Sequence, residues 1–544
     1  MRSPQLPSIP RRPAQLTHAD PECLASAGAS EQLEEIGIGL YQAVLLLGVG
    51  SAAISEGLEM GAMPPLNGAL SLAFLLPQGV RELLPILPLL GAAVGLLLSG
   101  RLCDRWGRKL PLMASNLGTC VVMLATASLP ISARGALLML TLRFFAGLAV
   151  ALGVPAGIVL VVESCSQEAR PRMVFGIMFF GCLGLVLSAI GLQLFMPYLG
   201  ESPDDSWRSL SIFIAVPSII TLPFICMLCE SPTFLAVRGD AEGCAQALAY
   251  MAWMNGCQPV LEDATPPPST PHRHRSQYGE HVSKIWALII GSRLFSVLCI
   301  LEATKNIFCI GSAYIWKDLF SLSCLDGSVT PASLEIIVIL SPIVGLILGE
   351  RVICIGARKV IFLCSILAAI SLLALMFETL RLALWALPVL VMFTKMTYGP
   401  ISSCLALMKA EAFPTEVRVT MFALVSLLAR LACIGAPSVI EVFKADHRAV
   451  SWYPYAMGRY MASLAFAAML TGLTALLVPG YCGDGMSLQD YCDLKEHRPW
   501  YRTSLRNASI TSFGSVFDAR PRSFSQDGSG EGTPMQKERM AAAG

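Results

Sequence analysis

The chain has 544 residues, of which 54% are hydrophobic and 14% charged, and its net charge is +1. Soluble domains carry about 25% charged residues because their surfaces need them, so this composition excludes an ordinary soluble protein and indicates a membrane protein. A net charge so close to zero, without a basic stripe outside the loops, also argues against a nucleic-acid-binding protein.

Residues 1–39 are polar and proline-rich and contain no apolar core typical of a signal peptide. We therefore expect a disordered N-terminal tail in the cytosol, with insertion directed by the first membrane helix. Twelve apolar runs follow, each near the roughly 20 residues that cross about 30 Å of hydrocarbon. They lie at 40–63, 83–100, 110–130, 135–162, 173–197, 210–229, 284–308, 333–350, 359–378, 382–408, 417–441 and 455–479.

The runs predict an all-α membrane protein with twelve transmembrane helices in two six-helix halves, 40–229 and 284–480. The loop at 230–283 is predicted to be a flexible cytosolic linker between the halves. The serine-rich residues 481–544 are predicted to be a disordered cytosolic tail, which would suit phosphorylation. The 18 cysteines are scattered through apolar runs, so we expect buried thiols and no metal or redox centre.

Lysine and arginine residues are about twice as frequent in the loops on the side of both termini as on the other side, with Lys409 counted among the inner ones. The positive-inside rule therefore places both termini in the cytosol. The plasma membrane is the favoured location, and an intracellular vesicle membrane is the alternative. The expected partners are the lipid bilayer, a small solute and protons, while the oligomeric state stays open.

A dense charge cluster at 100–109 lies between the second and third runs. Such a cluster must form a tight polar turn at the membrane surface, where Gly107 allows a turn that a side chain would hinder. Asp104 is the single acid among four bases, and an arginine or a helix N-terminus would suit it as a partner. The pattern Gly-x-Leu-x-Asp-Arg-x-Gly-Arg-Lys resembles the signature loop of the major facilitator superfamily of secondary transporters. In that family the acid helps to latch the two halves on the inner side.

Two pairs of glutamate and arginine repeat along the chain. Glu163 precedes Arg170 by seven residues and Glu411 precedes Arg418 by seven, with an offset of 248 between the pairs (411 − 163 and 418 − 170). A constant offset across two motifs indicates a parallel duplication, as in the two halves of this fold. Each pair is expected at the inner end of a helix, where it would fasten the cytosolic side. The alternative is ordinary charges at the membrane edge.

Further sequence motifs indicate which branches of the superfamily the chain resembles. Residues 143–147 (Arg-Phe-Phe-Ala-Gly) are similar to a fourth-helix motif of the superfamily, and residues 230–232 (Glu-Ser-Pro) to an element shared by sugar porters and organic-ion carriers. Residues 56–60 (Glu-Gly-Leu-Glu-Met) resemble the Asp-x-x-Glu-Met pattern of synaptic-vesicle-related transporters, with glutamate for aspartate. Arg430 matches the eleventh-helix arginine of the organic-ion branch. The sugar-porter ending Pro-Glu-Thr-Lys-Gly does not occur at 479–488.

Ionisable residues inside the predicted helices carry the chemistry. Each costs about 2.5–3.5 kcal/mol at the bilayer centre on insertion scales, so it normally faces a wet cavity or a partner. The residues are Glu56, Glu59, Arg143, Arg293, Glu302, Lys305, Lys395, Arg430 and Arg459. Glu56 and Glu59 share a helix face and repel each other, which favours uptake of a proton. The candidates for proton coupling are Glu56, Glu59, Glu302 and Arg143, with pairing to charges on neighbouring helices as the alternative.

Lys395 and Arg430 are predicted substrate contacts, because each lies roughly 20 Å from a helix end and so near the bilayer midplane. Tyr398, beside Gly399 and Pro400, is a third candidate because its ring would lie at a helix break, with ordinary packing as the alternative. Six of the ionisable residues are basic and three are acidic, and this surplus of +3 favours an anionic solute.

The resemblance implies a secondary active transporter that works by alternating access. The charges favour a small organic anion, such as an aromatic or pyridine carboxylate, moved with protons. A facilitative sugar or polyol carrier and a non-transporting membrane sensor or vesicle scaffold are the alternatives. No nucleotide-binding or hydrolytic motif occurs, so we expect neither an enzyme nor a cofactor. The residues predicted to form a cytosolic gate are Gly100, Asp104, Arg105, Gly107, Arg108, Glu163, Arg170, Glu230, Glu411 and Arg418.

Overall fold

The computed structural model describes residues 21–81, 83–196, 206–257, 289, 292–323, 338–377, 386–434 and 453–478. Every regular element in these ranges is a helix, and all of them belong to one compact unit, Met1–Asp490. The predicted all-α class is therefore confirmed. Residues 1–20, 258–288 and 479–544, which include much of the predicted tails and linker, lie outside the described residues.

A short helix opens the described chain and leads into the first half of the bundle. These helices are α1 (Pro21–Ile36), α2 (Leu40–Ala73), α3 (Gln78–Arg81), α4 (Leu83–Trp106), α5 (Lys109–Ala127), α6 (Ala133–Glu163), α7 (Arg170–Phe195) and α8 (Ser206–Met227). Two connecting helices and the second half follow. These are α9 (Pro232–Arg238), α10 (Ala241–Met254), α11 (Arg293–Ser323), α12 (Ser341–Val352), α13 (Ala357–Ala374), α14 (Ala386–Met396), α15 (Tyr398–Glu411), α16 (Arg418–Ile434) and α17 (Tyr453–Leu476).

Each of the twelve predicted spans overlaps a described helix. Nine helices in the described part of the chain are long and apolar enough to cross a membrane. The eighth, tenth and eleventh predicted spans coincide with α12, with the pair α14 and α15, and with α16, whose described lengths are shorter. We call α2 to α8 the first half and α11 to α17 the second half, and together they form the predicted membrane bundle.

Helix α2 continues past the predicted end of its span at residue 63. It contains 34 residues, which correspond to about 51 Å at 1.5 Å per residue. Leu66 and Leu70 in its last turns are buried in one apolar cluster with Met139 of α6 and Trp207 of α8. This packing explains why the helix extends beyond the length that the hydrocarbon alone requires.

The backbones of helices α4 and α6 are in close contact. A Cβ atom added to Gly91 would lie 1.9 Å from the carbonyl oxygen of Phe144, and one added to Gly147 would lie 1.9 Å from that of Pro88. Small residues at such crossings let two membrane helices approach closely. The contact holds α6 against α4, and Arg143 of α6 is fully buried in the first half.

The tenth predicted span is broken at Thr397, where α14 ends and α15 begins. Pro400 has no amide hydrogen to donate to the carbonyl of Met396 four residues earlier, which interrupts the helical ladder. Gly345 of α12 packs against this carbonyl, because an added Cβ would lie 1.8 Å from the Met396 oxygen. The break falls beside Tyr398, as the sequence predicted.

The structure contains helices in two stretches predicted to be disordered or flexible: α1 in the tail 1–39, and α9 and α10 in the linker 230–283. Ala29 and Leu33, one turn apart on α1, are buried in the same apolar cluster as Leu248 of α10. The side chain of Asn255, just after α10, accepts a hydrogen bond from the backbone amide of Tyr41 at the start of α2 (2.9 Å). These helices are stabilised by each other, which a local reading of composition does not capture.

One apolar cluster joins the two halves. It includes Cys103 of α4 and Val159 of α6 from the first half, and Leu407 of α15 and Phe422 of α16 from the second. Helix α4 packs against α16, and α15 packs against α7. The halves are therefore in contact around this cluster, next to the turn between α4 and α5.

Candidate functional site

The turn between α4 and α5 is built around Gly107, whose φ is +98°. This value favours glycine, and an added Cβ would also lie 2.1 Å from Oε2 of Glu230. The Glu230 carboxylate accepts hydrogen bonds from the backbone amides of Arg108 (2.8 Å) and Lys109 (3.2 Å). Glu230 thus caps the N-terminus of α5 with a negative charge, which complements the helix dipole.

Glu163, the last residue of α6, is the centre of a buried charge network. Its Oε2 lies 3.0 Å from Nε of Arg108, and its Oε1 lies 2.8 Å from Nη1 of Arg418. The hydroxyl of Ser231 donates to Oε2 as well (2.7 Å). We call Asp104, Arg108, Glu163, Glu230 and Arg418 the charged end of the bundle. Because Glu163 belongs to the first half and Arg418 to the second, this network ties the halves together.

Asp104 makes a second connection between the halves. Its Oδ2 accepts hydrogen bonds from the backbone amide (3.2 Å) and the hydroxyl (2.5 Å) of Thr420, in the first turn of α16. The predicted partner, a helix N-terminus, is therefore present, and it belongs to the other half. Gly100 permits the approach, since an added Cβ would lie 2.7 Å from Cα of Thr420. Arg108 adds a third link by donating from Nη2 to the carbonyl of Thr415 (2.8 Å).

The remaining predicted gate residues have different surroundings. Arg105 is exposed, with its guanidinium carbon 5.7 Å from the centre of the Trp106 ring. Arg170 is buried, and Glu163 pairs with Arg108 and Arg418 in place of Arg170. The expected pairing within the first repeat is therefore replaced by one between repeats, because α16 lies against α4 and brings Arg418 within reach. Glu411 is buried at the end of α15.

The middle of the bundle contains an ion pair between the halves. Nη2 of Arg430 on α16 contacts Oε1 of Glu56 on α2. Both side chains remain partly accessible, with exposed fractions of 24% for Arg430 and 29% for Glu56. For Glu56, this is the pairing with a charge on a neighbouring helix that the sequence analysis gave as the alternative to proton coupling.

Glu59 and Arg143 form a looser pair in the first half. Glu59 lies one turn after Glu56 on α2 and is 7% exposed, and its Oε1 has no hydrogen-bond partner among the described residues. Arg143 of α6 is fully buried, and its Nε and Nη2 likewise lack partners in the described ranges. The two groups interact electrostatically without a direct ion pair. A carboxylate so placed can bind a proton without breaking a hydrogen-bonded contact on that oxygen.

Glu302 of α11 bridges two ammonium groups of the second half. Its Oε1 lies 2.9 Å from Nζ of Lys305, and its Oε2 lies 3.0 Å from Nζ of Lys409. We call these three residues the Glu302 triad. Lys409 also donates to the hydroxyl of Ser426 (3.0 Å), and its Nζ lies 4.2 Å from the centre of the Phe422 ring. Each oxygen of the Glu302 carboxylate therefore has its own cationic partner, which is the alternative that the sequence analysis gave for this residue.

Lys409 corrects the sequence analysis, which counted it among the inner-loop charges. The residue is 5% exposed within α15. Its neighbours in the chain, Leu407, Met408 and Ala410, are all apolar, and this was the signal that could have revealed its burial. Arg293 and Arg459, predicted inside the membrane, lie in helices that are apolar and long enough to span it, and their side chains are exposed on the protein surface.

The predicted contacts on α14 and α15 lie at the helix break. Tyr398 begins α15, and its hydroxyl contacts Oγ of Ser312 on α11. Its ring packs at 5.7 Å, centroid to centroid, against Phe308. Lys395 lies in the last turn of α14 and is half-buried. At the break, the hydroxyl of Tyr398 therefore contacts α11, which is also the helix that contains Glu302.

Comparison with known proteins agrees with this architecture. Residues 45–437 match the model of the Major Facilitator Superfamily. The synaptic vesicle 2-related protein of Bos taurus is 28% identical over 226 residues, which are 42% of this chain and 39% of that protein. The niacin transporter NiaP of Acinetobacter baylyi is 26% identical over 211 residues, which are 39% of this chain and 46% of the transporter. The matches to these curated relatives thus span less than half of their length.

A solved structure extends the comparison over most of the chain. The proton:xylose symporter XylE bound to 6-bromo-6-deoxy-D-glucose superimposes with a TM-score of 0.67 at 16% sequence identity. The match covers 86% of this chain and 99% of that structure. At this identity the likeness concerns the fold alone.

Proposed function

This chain belongs to the major facilitator superfamily, and from that premise we propose that it carries a small organic anion together with protons across a membrane by alternating access. The substrate class that suits it best is an aromatic or pyridine carboxylate. The observation that carries the proposal is the ion pair between Glu56 and Arg430, which is partly exposed and joins the two halves.

Arg430 is the substrate contact in this proposal. Its planar guanidinium can hold a carboxylate through two parallel hydrogen bonds. Glu56 already offers it a carboxylate, so a substrate carboxylate can take the same place on Arg430 and displace Glu56. Tyr398 and Lys395, at the helix break of the second half, are the further substrate contacts that we assign. A bound aromatic ring would complement the ring of Tyr398.

Glu59 is the proton site in this proposal. It lies one turn from Glu56, and its repulsion of that carboxylate is added to the cost of burying its own charge. A carboxylate substrate that displaces Glu56 from Arg430 frees a negative charge next to Glu59, which then favours protonation of the pair. Substrate and proton would in this way arrive together. Arg143 balances the charge of Glu59 when the proton leaves.

The charged end is the gate that closes one side, and we assign that side to the cytosol. Opening would separate Glu163 from Arg418 and Asp104 from Thr420, since both contacts cross between the halves. The positive-inside rule supports the orientation. A plasma-membrane location is our proposal, with a vesicle membrane as the alternative that the similarity to a synaptic vesicle 2-related protein supports.

Uptake by the full-length protein in proteoliposomes tests the proposal. Three labelled solutes are compared, with and without a gradient that makes the outside acidic: nicotinate, nicotinamide and xylose. Nicotinamide has the same ring as nicotinate but no carboxylate, so it is the matched control for charge. We expect gradient-driven accumulation of nicotinate alone. Accumulation of xylose would favour the sugar-carrier alternative, and movement of none of the three would contradict carboxylate transport.

A further inference from the structure

The buried charges of the described membrane helices do not all balance. Glu56 with Arg430 is neutral as a pair, and so is Glu59 with Arg143 when both are ionised. The Glu302 triad has two ammonium groups and one carboxylate, which leaves one positive charge. This positive charge comes from Lys409, which the sequence analysis did not count among the nine ionisable residues of the membrane helices.

The triad is a buried and ordered arrangement. Lys305 and Lys409 are 8% and 5% exposed, and Glu302 is 5% exposed. Lys409 has three contacts, with Glu302, the Ser426 hydroxyl and the Phe422 ring. Lys305 has three donor hydrogens, and only its bond to Glu302 is formed among the described residues. Lys305 thus retains the capacity to bind another anion.

The triad extends from the level of Arg430 toward the charged end. Ser426, the partner of Lys409, is eight residues from the start of α16 (426 − 418), and Arg430 is twelve (430 − 418). At 1.5 Å per residue, these positions lie about 12 Å and 18 Å along the helix. Lys305 interacts electrostatically with Arg430. The cations therefore form a series that leads from the middle of the bundle toward the gate.

Opening of the charged end would give access to this series. Phe422, which covers the Lys409 ammonium, belongs to the apolar cluster that joins the halves. Separation of Asp104 from Thr420 would move α4 away from the first turns of α16, where Phe422 lies. The ring would then lose its cover from the first half, and the triad would face the opened side.

We propose that the Glu302 triad is a second carboxylate-binding subsite, between Arg430 and the charged end, which receives the substrate as it leaves Arg430. Lys305 and Lys409 bind the carboxylate, and Glu302 competes with it for both ammonium groups. This inference rests on the proposed function, because it takes the substrate to be a carboxylate. The subsite acts when the charged end is open, so it controls affinity on that side alone.

If Glu302 competes with the substrate, substitutions of Lys305 and Glu302 should change substrate binding in opposite directions. An ion pair with a purely structural role would not produce this difference. Lys305→Gln removes an ammonium group that binds the anion, so it weakens binding from the charged-end side. Glu302→Gln removes the competing carboxylate, so it strengthens binding from the same side. A structural triad would instead make both substitutions harmful in the same sense, because each leaves a buried charge without its partner.

The test measures nicotinate transport by the full-length protein in oriented proteoliposomes, with the KM determined separately from each side. For Lys305→Gln we expect a KM about tenfold higher from the charged-end side, which is the effect of one charge-assisted hydrogen bond, and a change below about twofold from the other side. For Glu302→Gln we expect a lower KM from the charged-end side. Lys359→Gln, which removes an exposed lysine, is the matched control and should match the wild type.

Several results would overturn the inference. Shifts of the same sign for Lys305→Gln and Glu302→Gln, or equal shifts on both sides, would show that the triad is structural. If Lys305→Gln does not fold, Glu302→Gln and Lys305→Arg decide the matter, since the arginine variant should keep near-normal affinity. A wild-type protein that moves no carboxylate would overturn the proposed function as well, whereas normal wild-type transport with unaffected triad variants would overturn this inference alone.

Discussion

The charged end and the middle of the bundle both contain acids and bases that join the two halves, but they differ in how completely these charges are satisfied. Glu163 at the charged end is buried and has three polar partners, Arg108, Arg418 and Ser231. In the middle, Glu56 has one described partner and is partly exposed, and Oε1 of Glu59 has none. Oδ1 of Asp104 also lacks a partner among the described residues, so the contrast concerns Glu163. A fully paired carboxylate such as Glu163 suits a latch, whereas incompletely satisfied ones suit exchange of a ligand or a proton.

The largest expected effect concerns Glu59 in the middle. Glu59→Gln should abolish accumulation of substrate driven by a proton gradient, while exchange of substrate across the membrane persists, because an amide cannot take up and release the proton. Accumulation and exchange are measured in the same proteoliposomes. Glu242→Gln, at an exposed acid of α10, is the control. Undiminished accumulation in the Glu59 variant would remove this residue from coupling.

At the charged end, a comparable loss of charge should act on folding. Arg108→Gln leaves the buried Glu163 without one of its two cations, and breaking a buried pair in this way costs about 3–5 kcal/mol. We expect a large loss of folded protein and a lower melting temperature in detergent. Arg105→Gln, which removes an exposed arginine three residues away, should have little effect. Equal melting temperatures for the two variants would contradict the latch assignment.

Arg430→Lys tests the proposed substrate contact in the middle of the bundle while the positive charge is retained. The ammonium group cannot form two parallel hydrogen bonds to a carboxylate, so about 1–3 kcal/mol of substrate binding should be lost. This corresponds to roughly ten- to hundredfold weaker affinity. Binding and surface expression are measured together. Normal affinity in folded protein would sink the assignment of Arg430 to the anion site, and loss of folded protein would make it a structural residue like Arg108.

Gly107→Ala tests how much the contact between Glu230 and the N-terminus of α5 stabilises the charged end. The substitution forces an L side chain into a positive φ, which costs about 1–2 kcal/mol, and also drives Glu230 away from the N-terminus of α5. Gly256→Ala is the matched control, because Gly256 has a φ of +72° and nothing within 4 Å of an added Cβ. The difference in melting temperature between the variants measures the Glu230 contact. If Gly107→Ala is no worse than Gly256→Ala, the cap contributes nothing.

The smallest effect is expected for Asp104→Asn. Asparagine still accepts a hydrogen bond from Thr420 but without the charge, so closure should weaken by about 0.5–1 kcal/mol. Turnover should slow by a few-fold while substrate affinity stays normal. Asp240→Asn, at the cap of α10 within one element, is the control. A large change in affinity at normal turnover would show that Asp104 belongs to the binding site.

Periodicity and composition were sufficient to predict the helices of the bundle, because long apolar runs leave a membrane chain few alternatives. The turn at Gly107 and the helix-terminal partner of Asp104 were also predictable, since they depend on local backbone and charge. The pairing of Glu163 with Arg418 was not. The repeat spacing showed that the two pairs are equivalent, but only the approach of α16 to α4 decides which members meet.

Burial of single charges was the other point that the sequence could not decide. Lys409 and Arg459 both lie within predicted spans or next to their ends, yet one is buried and the other exposed. Lys409 is buried together with a partner from a distant part of the chain, because Glu302 on α11 neutralises it. Helix α1 was missed for a similar reason, because Leu33 is buried by α9 and α10 rather than by residues near it in the chain.

Hydrogen exchange at the N-terminus of α16 would measure how often the charged end opens. The amide of Thr420 donates to Asp104, a residue of the opposite half, so this hydrogen bond is broken when the two halves separate at the charged end. Each opening would then release this one proton to deuterated solvent. The exchange rate of the Thr420 amide would therefore report how often the charged end opens, without a label at any of the proposed binding residues.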